Sequence, residues 1–326
     1  KRAMPSAKSP KRSKSLFILN MASTKQQVAV GTAQGEILDR RTVRLGDKTS
    51  ARDILMWLED NIREIMDRWE IGGIGVGFGG PLELGRGRVL CSLQVPGWMD
   101  FRLKEWFEER FGVPSVIVND TVLGGIGELV LGSGAGSSRF FYTNIGTGIG
   151  GGLYLDGRYY DGSGFGAGYL GNTWVPDWRD SRPGAMTRLE LICSGKSIEK
   201  RLNTPGYAAG GSCLEPGKGW VSCADLAQGA RAGDLFCCQE LDRVARTFSL
   251  GLANVLAIAA PDRIAVGGGV AKMGDELFSR IRRYTEEYAF VADAGHYGIV
   301  ESRLMDDAVL AGGLLTAANP GLAEWG

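Results

Sequence analysis

Two glycine runs and one acidic dipeptide are the places in this 326-residue sequence where chemistry could be done. The first run is Asn144-Ile-Gly-Thr-Gly-Ile-Gly-Gly-Gly152, which closes the apolar stretch from Phe140. Consecutive N–H groups laid bare by glycine can cradle phosphate oxygens, and Thr147 adds a hydroxyl donor. The second run, Gly267-Gly268-Gly269, ends a strand and opens a helix, which lets a ribose and base lie against backbone. Both runs have plainer uses. The first could be a tight β-hairpin that binds nothing. A dinucleotide-binding turn is a further rival, but Gly146-x-Gly148-x-Gly150 is followed by a strand where that motif needs a helix. Asn119-Asp120 stands at a predicted strand end, ahead of a glycine-rich helix. A carboxylate there can take the proton of a substrate hydroxyl as a phosphoryl group arrives. An Asx turn or a helix N-cap would use the same two residues without chemistry.

The elements that must position these residues follow from periodicity. Leu16–Leu19 and Val28–Val30 read as strands around a polar tip at residues 22–25, and Gly35 turns the chain again before residues 36–38. Ile54, Leu55, Leu58, Ile62, Ile65 and Met66 recur at helical spacing from Ser50, a candidate N-cap, to Trp69. Residues 74–78 form a short buried strand ending in Gly79-Gly80-Pro81. A helix over 103–111, a strand over 115–118 and a helix over 121–131 come next. A strand over 140–144, a glycine loop over 146–152 and a strand over 153–155 follow. Helices are expected over 187–202, 223–229, 234–259, 275–288 and 308–318, with a strand over 263–266. Each half opens with hairpin-like strands and carries a glycine-rich strand-to-helix turn. The pattern predicts duplicated α/β units around a cleft, with no short-period repeat.

Bulk composition narrows the classes. Hydrophobic residues make up 44% of the chain, enough for a large core and more comfortable as two domains than one. Lys+Arg and Asp+Glu balance at 37 each, so no global field favours nucleic acid or a membrane surface. Six of the cations lie within residues 1–15 without an acid, leaving 31 basic against 37 acidic residues in the remainder. This arm is expected to be solvated and disordered, and it lacks the apolar core of a secretory signal. The six cysteines (91, 193, 213, 223, 237 and 238) form no C-x-x-C pair and are expected to be reduced, buried thiols of a cytoplasmic protein. A single histidine, His296 in an expected surface loop, argues against zinc hydrolase and Ser-His-Asp chemistry.

Taken in order, these pieces resemble the ROK family of repressors and sugar kinases over roughly residues 16–318. The resemblance is carried by Gly75-Val-Gly-Phe-Gly-Gly-Pro81, Val95-Pro-Gly-Trp98, residues 103–112, Val118-Asn-Asp120, Gly146-Thr-Gly-Ile-Gly-Gly-Gly152, Leu189-Glu190 with Ser194-Gly195, residues 261–270, and Asp306-Asp307-Ala308 with Gly312-Gly313. It implies an α/β fold of the two-lobed actin-like ATPase (ribonuclease H-like) type, with a mixed sheet in each lobe. The lobes would span 16–120 and 121–305, the last helix (306–320) packing back on the first. It further implies ATP with Mg²⁺, and transfer of the γ-phosphate to a hydroxyl of a hexose or amino sugar. Asp120 falls on the general base. Asn119, Glu190, Gly80, Gln94, Tyr169 and Asn172 fall at the sugar. Thr24, Lys25, Gly146, Thr147, Gly148 and Gly150 fall at the phosphates, and Gly267, Gly268 and Gly269 at the adenosine. A homodimer is implied as well.

Departures from the family pattern are as informative. The first phosphate loop, D-x-G-G-T in the family, reads Asn20-Met21-Ala22-Ser23-Thr24, which removes a carboxylate and two glycines; Lys25 could supply charge instead. The zinc positions hold Asn172, Ser181, Pro183 and Arg188, so no structural zinc and no metal-ligating residue is expected, and Trp174 and Trp178 are expected to pack that loop. Tyr169 replaces a glutamate and Gln94 an asparagine. The primary expectation is a sugar kinase; the alternative is a catalytically impaired sugar- or nucleotide-binding relative, a sensor or scaffold. A DNA-binding repressor would need a helix-turn-helix module, and fifteen residues before Leu16 are too few for one, so no DNA partner is expected.

Overall fold

The computed structural model describes residues 15–21, 25–44, 46, 49–92, 95–208 and 211–324. The basic arm, Thr24 and Gln94 lie outside them, as does the side chain of Lys25. The elements in chain order are β1 (Ser15–Met21), β2 (Lys25–Gly31), β3 (Ile37–Arg44), α1 (Ala51–Arg68), β4 (Ile71–Phe78), β5 (Leu82–Glu83), β6 (Arg88–Cys91), β7 (Met99–Phe101), α2 (Leu103–Phe111), β8 (Ser115–Asn119) and α3 (Asp120–Leu131). Then come β9 (Arg139–Ile145), β10 (Ile149–Leu155), β11 (Arg158–Tyr159), β12 (Trp174–Pro176), β13 (Met186–Arg188), α4 (Glu190–Cys193), α5 (Gly195–Leu202), α6 (Cys223–Arg231), α7 (Leu235–Ala259), β14 (Arg263–Gly267), α8 (Asp275–Tyr288), β15 (Gly298–Glu301) and α9 (Ala308–Ala318).

Two five-stranded sheets share one plan. The first has the order β3-β2-β1-β4-β8 and the second β11-β10-β9-β14-β15. In each, an antiparallel meander supplies three strands and two parallel strands extend the far side. Alternation along the strands sorts side chains into layers. Phe17, Leu19 and Met21 of β1 join the core with α1 and α2, whereas Leu16 and Ile18 face α3 and α9. Phe141 and Ile145 of β9 join α7 and α8, whereas Phe140 and Tyr142 turn toward α3. The pair α3/α9 is therefore a layer common to both sheets, and burial of each Phe or Leu in these cores is worth roughly 1.5–3 kcal/mol.

Local rules account for the helix starts. Ser50 caps α1 in a reciprocal box: its Oγ accepts from the Asp53 N–H at 3.3 Å, and Asp53 Oδ2 accepts from the Ser50 N–H at 2.9 Å. Ile54, Leu58, Ile62 and Ile65 then form the buried stripe. Glu128, fully buried on α3, accepts from the N–H groups of Ser133 (2.7 Å), Arg303 (3.1 Å) and Leu304 (2.6 Å) and from the Ser302 hydroxyl. It ties the strap between β15 and α9 to α3.

Four expectations need correction. The helix expected over 187–202 is a strand and two helices, because residues 186–188 pair with 174–176 and Ser194 breaks the helix with extended φ/ψ. The loop expected over 146–152 is a three-residue turn, since Ile149 already pairs with Ile145. The cysteines are not uniformly buried: Cys213 is exposed, and Cys91 and Cys238 are half-buried. Trp174 is also exposed, so only Trp178 packs its loop, with the Arg201 and Arg243 guanidinium groups over its ring. His296 is exposed in the connection between α8 and β15, as expected of a surface loop. Among the described residues no helix is long and apolar enough to cross a membrane.

Candidate active site

The C-terminal ends of β1, β4 and β8 in one sheet and of β9 and β14 in the other supply the candidate residues. Ligands in α/β sheets bind at such ends. Asn119 ends β8 and caps α3, its Oδ1 accepting from the Thr121 N–H at 3.0 Å and its Nδ2 donating to the Phe78 carbonyl at 3.3 Å. The Asx-cap reading is thus realised at Asn119, and it leaves the next residue free to project. Asp120 is half-buried at the first position of α3. Desolvation pushes its carboxyl pKa above the ordinary value, outweighing the Thr121 N–H, which Oδ1 accepts at 2.8 Å.

A short polar chain links this carboxylate to the first glycine run. The Thr121 hydroxyl donates to Asn144 Oδ1 at 3.2 Å, and the same oxygen accepts from the Gly150 N–H at 2.9 Å. Gly150 has no room for a side chain: a Cβ there would lie 2.7 Å from Thr121 Cβ. Glycines 150–152 sit in a strand, so close packing rather than phosphate approach explains Gly150. The unengaged backbone lies in the turn itself. Gly146 donates to the Gly148 carbonyl at 2.9 Å, and among the described residues the N–H groups of Thr147 and Gly148 have no intramolecular acceptor. Glu190, at the start of α4, borders this turn, with Ile149 N–H 3.4 Å from its Oε2.

The second run abuts the first. Gly267 pairs with Asn144, and Gly268, at φ +88°, would place a Cβ 2.5 Å from the Ile145 carbonyl. A non-glycine residue fits neither that backbone nor that space. Gly269 has open space around it. The glycine run opens only a 3₁₀ turn, Val270–Met273, before α8. The first sheet closes on the same region. Asn20 pairs with Gly77, Gly79 N–H donates to the Met21 carbonyl at 3.2 Å, and a Cβ on Gly77 would lie 3.4 Å from Asp120 Cα. Gly80 follows directly, beside a recess lined by Met21, Phe78, Ser92 and Trp98.

Two expected sugar contacts are engaged elsewhere. The Tyr169 hydroxyl donates to the Phe165 carbonyl at 2.9 Å, and Asn172 Oδ1 accepts from Arg188 at 3.2 Å. Asn172 is exposed. The Asn172–Arg188 bond and the exposed Ser181 and Pro183 form a donor set that does not suit zinc. Thr121 and Asn144 were assigned no role from the sequence. Their signals were a hydroxyl directly after the acid and an amide directly before the glycine turn.

A family model described as ROK family matches residues 18–319. The chain belongs to the ROK family. This ROK chain is 29% identical over 326 aligned residues to the glucokinase of Halalkalibacterium halodurans, covering 94% of this chain and 96% of that relative. A ROK family glucokinase from Streptomyces griseus, solved with glucose and AMPPNP, matches with a TM-score of 0.77 at 23% identity over 93% of this chain and 99% of that one. A ROK family transcriptional regulator, homologous to the E. coli MLC protein, matches with a TM-score of 0.81 at 22% identity, over 96% of this chain and 80% of the regulator. The fold is the two-lobed actin-like ATPase fold, with a mixed sheet in each lobe and a cleft between. Kinases and regulators share it, so the argument for function rests on the site.

Proposed function

We infer that this ROK protein is an ATP-dependent carbohydrate kinase, transferring the γ-phosphate to a hydroxyl of a hexose or amino sugar with Asp120 as general base. The observation that carries the reading is the desolvated Asp120 carboxyl, one residue from the Thr121–Asn144–Gly150 chain that ends at the 146–148 turn.

The residues present fit a nucleotide. Unengaged N–H groups at Thr147 and Gly148 suit phosphate oxygens, and open space at Gly269 suits the adenosine. For Mg²⁺ the donor is altered: Asn20 Oδ1 is buried and unpartnered, a hard but neutral oxygen. Bound ATP with Mg²⁺ would supply the transferable group and neutralise its developing charge. Asp120 would orient the acceptor hydroxyl and take its proton. A carboxylate raised toward neutrality by desolvation is a better base than an exposed one, provided it is still ionised at the working pH. Asn119 and Glu190 would hold neighbouring hydroxyls, and positioning of this kind is worth roughly 7–11 kcal/mol. The reading carries with it a cytoplasmic location and a homodimer.

A second reading, a sugar- or nucleotide-binding relative without turnover, is favoured by the neutral oxygen at Asn20 where the family pattern has a carboxylate. Titration of ATP with Mg²⁺ by calorimetry, followed by an ADP-release screen across hexoses and amino sugars, separates the two. ADP release with any of these sugars supports the kinase. Nucleotide binding without turnover on every sugar supports the second reading.

A further inference from the structure

The connection from Asn203 to Ser222, between α5 and α6, contains no helix or strand among its described residues. A stretch of that length inside a folded lobe needs anchors. Some are hydrogen bonds: Asn203 Nδ2 donates to the Val221 carbonyl at 2.8 Å, and the Tyr207 hydroxyl to Glu240 at 2.7 Å. At Cys213 the chemistry changes. The sulfurs of Cys213 and Cys237 and a carboxylate oxygen of Asp234 all lie within 4.8 Å of one another.

We propose that Cys213, Asp234 and Cys237 form a binding site for a soft divalent metal ion of the zinc class, with water as the fourth ligand on the exposed side of Cys213. The site is remote in sequence from every residue assigned above to sugar or nucleotide, and it does not rest on the kinase reading.

The donor set fits. Two thiolates and one carboxylate are ligands that zinc takes in tetrahedral sites, at about 2.3 Å from sulfur and 2.0–2.2 Å from oxygen. Tetrahedral geometry at those lengths separates two sulfurs by about 3.8 Å. The observed spacing therefore needs a contraction of about 1 Å at most, within reach of one rotamer change of exposed Cys213.

The carboxylate is already aimed. Asp234 Oδ1 accepts from the Cys237 N–H at 2.9 Å and the Ser212 hydroxyl at 3.3 Å, and Oδ2 accepts from the Cys213 N–H at 2.6 Å. The Cys213 and Cys237 thiols also hydrogen-bond this carboxylate, so an ion would take the place of their protons, and the supporting N–H bonds orient the ligand. Space is provided by Gly229 of α6: a Cβ there would lie 2.5 Å from the Cys237 sulfur and 2.8 Å from the Cys213 sulfur. The two sulfurs approach because that position carries no side chain. Bound metal would staple the long connection to the start of α7, beneath α6.

The test uses the full chain, stripped with chelator, fully reduced and titrated with Co²⁺ alone. The expected result is one ion per chain, with thiolate-to-cobalt charge-transfer bands, displaced by Zn²⁺. Cys213→Ser, Cys237→Ser and Gly229→Ala should each weaken binding at least tenfold, the last without removing a ligand, whereas Cys91→Ser and Cys238→Ser should not. Because Cys213 is exposed, its serine variant should fold, and circular dichroism checks this. Absence of the bands in reduced protein, or their persistence in the Cys213→Ser/Cys237→Ser double variant, overturns the proposal. So does a Cys213–Cys237 disulfide that, once reduced, leaves no cobalt uptake.

Discussion

Replacing Asp120 by asparagine isolates the proposed base from the scaffold. The amide is nearly isosteric, and its oxygen can still accept from the Thr121 N–H now bonded at 2.8 Å, so the start of α3 stays in place. Basicity is what disappears. A positioned general base contributes about 10²–10⁴-fold to rate, which at 1.36 kcal/mol per decade is roughly 3–5 kcal/mol of barrier. Turnover of the best sugar found in an ADP-release screen should fall by that factor, with little change in nucleotide affinity. Stability should move the other way. Desolvation raises the carboxyl pKa in the folded state, so the folding penalty is absent below the unfolded pKa and appears as pH rises through the folded value. At neutral pH the wild type bears that penalty and Asp120→Asn does not. The variant should therefore melt higher, with the gap closing as pH falls. For the wild type, the acid limb of kcat/KM should lie above the ordinary carboxylate range. Turnover within tenfold of wild type, or a melting temperature lowered by the amide, would refute this account.

Gly150→Ala forces a methyl to within 2.7 Å of Thr121 Cβ, and the overpacking should cost about 1–3 kcal/mol in urea unfolding, with turnover reduced because Thr121 adjoins Asp120. Glu190→Gln keeps an acceptor for the Ile149 N–H but loses charge; the KM for sugar should rise about tenfold while kcat changes less. Glu128→Ala leaves the buried N–H groups of Arg303 and Leu304 and the Ser302 hydroxyl without their acceptor, and unfolding should become easier by about 3 kcal/mol or more.

Elements whose signals are local were legible in the sequence. The helix at 51–68 is legible through Ser50 and a 3.6-residue apolar stripe, and the helices expected over 103–111 and 308–318 are found at those bounds. The failures have a common physical origin in contacts distant along the chain. Leu189 and Ile192, and again Ile198 and Leu202, stand at helical spacing within each pair, but Ser194 between them ends one helix and starts the next with its own cap to Ser197. Glycines 150–152 looked like a loop because their strand partners and the crowding from Thr121 are invisible to composition. Asn144 could not be given its bridging role until Thr121 was known to face it. For Asp120 the sequence offered the position at the end of a strand; the desolvation came only with the folded surroundings.

The helix of residues 308–318 lies against the first strand and, paired with α3, forms the layer between the two sheets. During synthesis, then, Leu16 and Ile18 leave the ribosome nearly three hundred residues ahead of the helix that covers them. A nascent chain halted anywhere short of that helix exposes an oily face on that strand. Such truncated products are expected to bind chaperones or clump, while emergence of that helix lets both lobes close together.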